Sequence, residues 1–207
     1  MLGKIRFILV LISLSVCLCL MSSTYSRYVA DTTGNIDVLF AKWQILINNT
    51  DVTSSTYSSI SFVPVIEKND YVASNVMAPS STGYFDINID PSNVDVSFKY
   101  TVSLGITNEN MPDLMITKYA IIPNDYVEGD QLNIVSLSGN IISNTLNFDN
   151  VTENFKYKPF TIRVYFEWFE GEGEAMDNAA DTQTGNLAAT DNTTFKMTAN
   201  ISFEQVF

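Results

Sequence analysis

From Val94 to Thr107 the chain alternates without error between apolar and polar side chains. Val94, Val96, Phe98, Tyr100, Val102, Leu104 and Ile106 share one parity; Asp95, Ser97, Lys99, Thr101, Ser103, Gly105 and Thr107 share the other. Successive side chains of a β-strand point to opposite faces, so a period of two predicts a long strand with one buried face and one wet face. A helix, with its period of 3.6, cannot separate these two sets.

The same pattern recurs along the chain. Phe85, Ile87 and Ile89 alternate with Asp86, Asn88 and Asp90, and Asp90-Pro91-Ser92-Asn93 carries turn chemistry, which together predict a hairpin with the Val94–Thr107 strand. Phe160, Ile162, Val164, Phe166 and Trp168 alternate with Thr161, Arg163 and Glu167, and Phe195, Met197, Ala199, Ile201 and Phe203 do so with Lys196, Thr198, Asn200, Ser202 and Glu204. Shorter strands are expected at Trp43–Ile47, Ile60–Ile66, Leu114–Ile122, Ile134–Leu137 and Leu146–Phe148, and no stretch has the pattern of an amphipathic helix. Many strands around one core predict an all-β fold, an antiparallel β-sandwich of jelly-roll type.

Ahead of the first of these strands the apolar phase changes. Ile36, Val38 and Phe40 fall on even positions, whereas Trp43, Ile45 and Ile47 fall on odd ones. A bulge or bend within a first strand produces such a break. A separate extended arm, Tyr28–Phe40, produces it equally.

At the N-terminus, Lys4 and Arg6 precede an apolar run from Phe7 to Met21, and polar Ser22-Ser23-Thr24 follow at once. That is the layout of a secretory signal. The run of 15 residues is shorter than the ~20 that span a bilayer. Thr24 and Ser26 are small enough for the −3 and −1 positions of a signal-peptidase site, so cleavage is expected near Ser26, with an uncleaved anchor as the alternative. Residues 1–26 then form the signal peptide, 27–42 an extended arm or first strand, and 43–207 the sandwich domain. Cys17 and Cys19 both lie in the apolar run, so the mature chain would carry no thiol for a disulfide, a nucleophile or a thiolate metal site. Leu14-Ser15-Val16-Cys17 is a poor lipidation site because Val16 is bulky. A disulfide-free exported domain suits a bacterial surface protein.

Losing Lys4 and Arg6 leaves 9 basic against 23 acidic side chains, a net charge of −14. Such a chain repels phosphate backbones and anionic lipid, so neither nucleic acid nor stable membrane insertion after cleavage is expected. The chain has no histidine, which excludes zincin motifs, histidine-containing facial triads, Ser-His-Asp relays and Cys-His dyads. No spacing singles out a Ser-Lys pair, no glycine-rich phosphate loop occurs, and no catalytic residue is assigned. The acidic concentration Glu167, Glu170, Glu172, Glu174, Asp177 and Asp181 is expected to be a solvated loop. Glu170, Glu172, Glu174, Asp177 and Asp181 also supply the oxygen ligands that calcium prefers, although without the spacing of a known calcium loop. The Asn-x-Ser/Thr triplets at Asn48, Asn150, Asn192 and Asn200 matter only in a glycosylating host.

Several segments resemble the TasA/camelysin family of Gram-positive exported proteins. They are the signal peptide followed by Thr24-Tyr25-Ser26-Arg27-Tyr28, then Phe40-Ala41-Lys42-Trp43, and Ala78-Pro79-Ser80-Ser81-Thr82-Gly83 leading into Phe85, Ile87, Ile89 and Val94–Ile106. Asn178 and Asp181 beyond Trp168, with Phe195–Phe203 after them, complete the likeness. The resemblance implies a jelly-roll subunit of extracellular biofilm-matrix fibres, released by a dedicated signal peptidase, whose N-terminal arm adds as a strand to the next subunit. That arm corresponds here to Tyr28–Phe40, with Ile36, Val38 and Phe40 as its apolar contacts. Camelysin-like members also carry a metallopeptidase label, which a chain without histidine does not support. The expected partner is a second copy of the chain or another matrix protein. The alternative is a monomeric surface adhesin. A chain without a Leu-Pro-x-Thr-Gly signal, and without an apolar anchor after Phe207, is expected to be released or assembled rather than joined to the wall.

Overall fold

The structure, a computed structural model, describes residues 2–25, 39–54, 60–106, 114–170, 178–191 and 196–207. The chain divides into two units, Met1–Phe40 and Ala41–Phe207.

In the first unit, helix α1 (Leu2–Tyr25) contains the whole apolar run. Apolar residues lie all round it, and its described side chains from Gly3 to Leu18 are exposed. Among the described residues no helix is long and apolar enough to cross a membrane. Ser26, the expected cleavage position, lies outside the described residues.

The second unit is an antiparallel β-sandwich. Its strands are β1 (Trp43–Ile47), β2 (Thr50–Asp51), β3 (Val65–Ile66), β4 (Thr82–Val94), β5 (Phe98–Ile106), β6 (Leu114–Pro123), β7 (Ile134–Ser136), β8 (Ile141–Leu146), β9 (Phe160–Trp168) and β10 (Met197–Gln205). A seven-stranded sheet runs β2-β1-β4-β9-β6-β7, with β3 also on β4, and a three-stranded sheet runs β10-β5-β8. Facing side chains fill the core from both sheets: Phe85, Ile87 and Ile89 of β4 and Ile162, Val164 and Phe166 of β9 on one side, Phe98, Tyr100 and Val102 of β5 on the other. β5 is the centre of its sheet, as its alternation predicts.

The expected hairpin between Phe85–Ile89 and Val94–Thr107 does not form. β4 continues through Asp90-Pro91-Ser92-Asn93 to Val94, and β5 belongs to the other sheet. Gln44 pairs with Asn93 and Leu46 with Asp90, so β4 spends three steps where β1 spends two. That extra residue is a bulge, a place where a strand accepts proline because a ladder hydrogen bond is already missing. It also switches the buried parity from odd at Ile89 to even at Val94. The chain then crosses between the sheets at residues 95–97.

Other boundaries also move. The Ile60–Ile66 segment is a strand only at Val65–Ile66, the Leu146–Phe148 strand is replaced by Ile141–Leu146, and the last strand runs Met197–Gln205, with Phe195 outside the described residues. β1 turns into β2 through Asn48 and Asn49, at φ 47° and 66°. Two left-handed residues suit the twist of a two-residue hairpin, and asparagine tolerates that conformation. A second helix, α2 (Asn178–Asp191), is present where no helix was expected. Its sequence has no helical apolar periodicity, so pattern reading passes over it.

Candidate functional site

β10 is an edge strand. It pairs with β5 over its whole length, from Met197↔Ile106 to Gln205↔Phe98, and among the described residues no strand occupies its other edge. Its inward side chains show what that edge borders. Leu104, Val102 and Tyr100 of β5 are at most 6% exposed, whereas their partners Ala199, Ile201 and Phe203 are only half-buried. The sandwich is therefore closed over β5 and open beside β10.

The opening is a cleft of about 1930 Å³. Met197, Ala199, Ile201 and Phe203 line it from β10, Phe62, Val63, Val76 and Met77 from two loops, and Ile47, Phe85 and Trp168 from the large sheet. Phe62 packs on Phe85 with ring centroids 5.9 Å apart, which fixes the loop wall to β4, while Val63 remains 78% exposed. Thr184, Gly185 and Ala188 of α2 also line the cleft. Among the described residues, Lys196 is the charged residue lining it, and no described aspartate or glutamate does so. A largely apolar trough beside a strand edge that no described strand occupies can take an extended chain, whose backbone completes the edge while alternate side chains enter the trough.

Of the expected arm's apolar contacts, Phe40 falls within the described residues. Phe40 and its neighbour Leu39 are 92% and 97% exposed just before β1, while Ile36 and Val38 lie outside the described residues. Of the expected cation ligands, Glu172, Glu174 and Asp177 lie outside the described residues and Glu170 is exposed beyond β9. Asp181 sits on α2 and not in a loop, and its Oδ1 accepts a hydrogen bond from Trp168 Nε1 at 2.7 Å. Among the described residues, no group of three or more potential metal ligands comes together.

The wet face of the large sheet carries a second polar cluster. Arg163 donates from Nε and a terminal nitrogen to both oxygens of Asp86 at 2.8 Å, and its guanidinium lies 4.0 Å from the centre of the Tyr84 ring. The Asp86 hydrogen bonds hold the Arg163 pKa above its ordinary value, and burial raises that of Tyr165 beside it. Asp86 and Arg163 are opposite each other in the β4–β9 register, so this is a cross-strand pair that fixes the sheet. The cleft was not legible in the sequence, because β10 alternates as cleanly as β5 and period two does not distinguish half burial from full burial. No family model matches this chain, and comparison with curated proteins gives no match either.

Proposed function

We propose that this chain is a secreted structural subunit that builds extracellular or surface fibres head to tail, the Tyr28–Phe40 arm of one copy lying in the β10 cleft of the next. The observation that carries the reading is the unpaired edge of β10 beside a half-buried apolar row. Leu39 and Phe40 provide an adjoining stretch of exposed apolar surface that gains by burial. The arm's 13 residues reach ~43 Å when extended, longer than the ~31 Å of the nine-residue β10. Burying Ile36, Val38 and Phe40 contributes on the order of 5 kcal/mol before ordering costs. Donor and acceptor lie on different surfaces of one subunit, so the contact propagates and does not close on itself.

The role is structural and not catalytic, in keeping with the absence of histidine. The test is electron microscopy of the purified mature protein beside a variant lacking residues 28–40. Filaments from the intact protein and none from a folded, truncated monomer are expected. Filaments from both would remove the arm from the reading.

A further inference from the structure

The pattern of β10 and the pattern of the Tyr28–Phe40 arm together restrict how the one can lie along the other. β10 has nine residues, Met197–Gln205; Met197, Ala199, Ile201 and Phe203 are half-buried toward the trough, and Asn200, Ser202 and Glu204 are exposed on the other face. In the arm, Gly34, Ile36, Val38 and Phe40 share one parity, and Asp31, Thr33, Asn35, Asp37 and Leu39 share the other. With the apolar set turned into the trough, the arm can shift along β10 only in steps of two residues. Every described strand pair of the sandwich is antiparallel, which is also the slightly more stable pairing per residue.

The end of the arm limits the shift in one direction. Lys42 N donates to Asp95 Oδ2 at 2.9 Å, and Lys42 O accepts from Asp95 N at 3.0 Å, so Lys42 is held by its own sandwich. Setting Phe40 opposite Ala199 would carry Lys42 against Met197, taking it from Asp95 and turning its charge into the apolar row. Charge limits the shift in the other direction. Setting Val38 opposite Met197 would leave Phe40 beyond the start of β10 and bring Asp31 opposite Glu204, and like charges directly opposed destabilise a pair.

Between these limits lies one alignment: Phe40 opposite Met197, Val38 opposite Ala199, Ile36 opposite Ile201 and Gly34 opposite Phe203. The side chains fit it. Val38 faces the small Ala199, and Gly34 leaves room for Phe203, whose ring packs 6.3 Å from that of Phe98 in its own core. An aromatic ring opposed to a strand glycine also covers the glycine's bare backbone. On the wet face Asp37 falls opposite Asn200, and no two like charges meet.

We propose that the arm of one copy docks antiparallel to β10 of the next in this single register, Thr32–Phe40 covering the whole strand, with Gly34 and Phe203 as the pair that sets it. The proposal rests on the reading of the β10 cleft as a strand acceptor and adds the direction and alignment of the incoming strand.

The test is disulfide trapping in the mature protein, since residues 27–207 contain no cysteine of their own. Directly opposed residues of an antiparallel pair have Cα atoms about 4.5–5.5 Å apart, within disulfide reach, whereas positions two residues along are about 7–8 Å away and outside it. Protein carrying Asn35→Cys is mixed under mild oxidation with protein carrying Thr198→Cys, Asn200→Cys, Ser202→Cys or Glu204→Cys, and Leu39→Cys is mixed with the same four. All these positions lie on the face away from the trough. Asn35→Cys should form severalfold more mixed disulfide with Ser202→Cys than with the other three, and Leu39→Cys should prefer Thr198→Cys in the same way. The exchanged preference, Asn35→Cys for Thr198→Cys and Leu39→Cys for Ser202→Cys, would make the strands parallel. That result, a preference displaced by two residues, or an even spread overturns the register and leaves the strand-acceptor reading in place. Mixed disulfide with none of the four β10 positions overturns the strand-acceptor reading itself, and the register with it.

Discussion

Gly83 lies against the ring of Phe166 so closely that a Cβ on the glycine would come within 2.6 Å of the ring's Cζ. The two residues are opposite each other in the β4–β9 register, and the backbone oxygen of Val65 would also be 2.8 Å away. β3 and β9 therefore flank a point on β4 where no side chain fits. Gly83→Ala must displace a core ring and a strand backbone together, at a cost of about 1–3 kcal/mol. Urea unfolding of the variant should show that loss with an unchanged slope; full wild-type stability would mean that β3 does not sit on β4 as described.

Phe98 is fully buried where the chain has just crossed between the sheets, edge-on to Tyr157 at 5.2 Å and to Trp43 at 6.2 Å. Phe98→Ala empties the meeting point of these rings, and a loss of about 3–5 kcal/mol is expected. Thermal unfolding checks it. A shift near zero would remove β5 from the centre of the core.

The Tyr100 hydroxyl is buried without a hydrogen bond of normal geometry, and burial pushes its pKa up to about 12, offset in part by the Asn144 amide. In the unfolded chain the same phenol titrates near 10. Between these values the unfolded state has released its proton and the folded state has not, so stability should fall as pH rises from about 10 to about 12 and be unaffected below that window. Tyr100→Phe should flatten that part of the curve and leave stability at pH 7 equal or higher, since it removes an unsatisfied hydroxyl. An unaltered alkaline limb in the variant would assign the effect to other tyrosines.

Each copy carries a net charge of −12, so like charge opposes the approach of a second copy. Raising salt from about 10 mM to about 150 mM shortens the screening length from ~30 to ~8 Å. Filament growth followed by light scattering should therefore accelerate with salt. Slower growth in salt would instead show that attraction between opposite charges drives the contact.

Val38→Asp with Phe40→Asp places two carboxylates on the segment proposed to enter the apolar trough. A folded monomer that no longer polymerises is expected, with its circular dichroism unchanged. Loss of the fold itself would identify the segment as an ordinary first strand of its own sandwich.

Period two was enough to find β1 and β9 to the residue and to mark Phe98–Leu104 as core. It failed where local chemistry and tertiary pairing disagree. Asp90-Pro91-Ser92-Asn93 has the composition of a turn, yet pairing with β1 holds the segment extended beyond the last β9 pair at Ile89 and absorbs the extra residue as a bulge. α2 was invisible because no apolar stripe repeats through Asn178–Asp191. The cleft depends on Phe62, Met77, Trp168 and Ile201, which are far apart in the chain, and nothing in any one of these segments shows that the space between them is open.

The pairing of β10 with β5 joins positions between 91 and 107 residues apart. Contacts of such long range are closed late, after the loop-closure entropy has been met. During synthesis the seven-stranded sheet can take shape from residues 43–168 before Met197–Gln205 has emerged. The β10 wall of the cleft is thus the last of the described strands to appear, and before it does there is no β10 edge for an extended chain to pair with. The order of the strands therefore delays the cleft until the rest of the sandwich has been made.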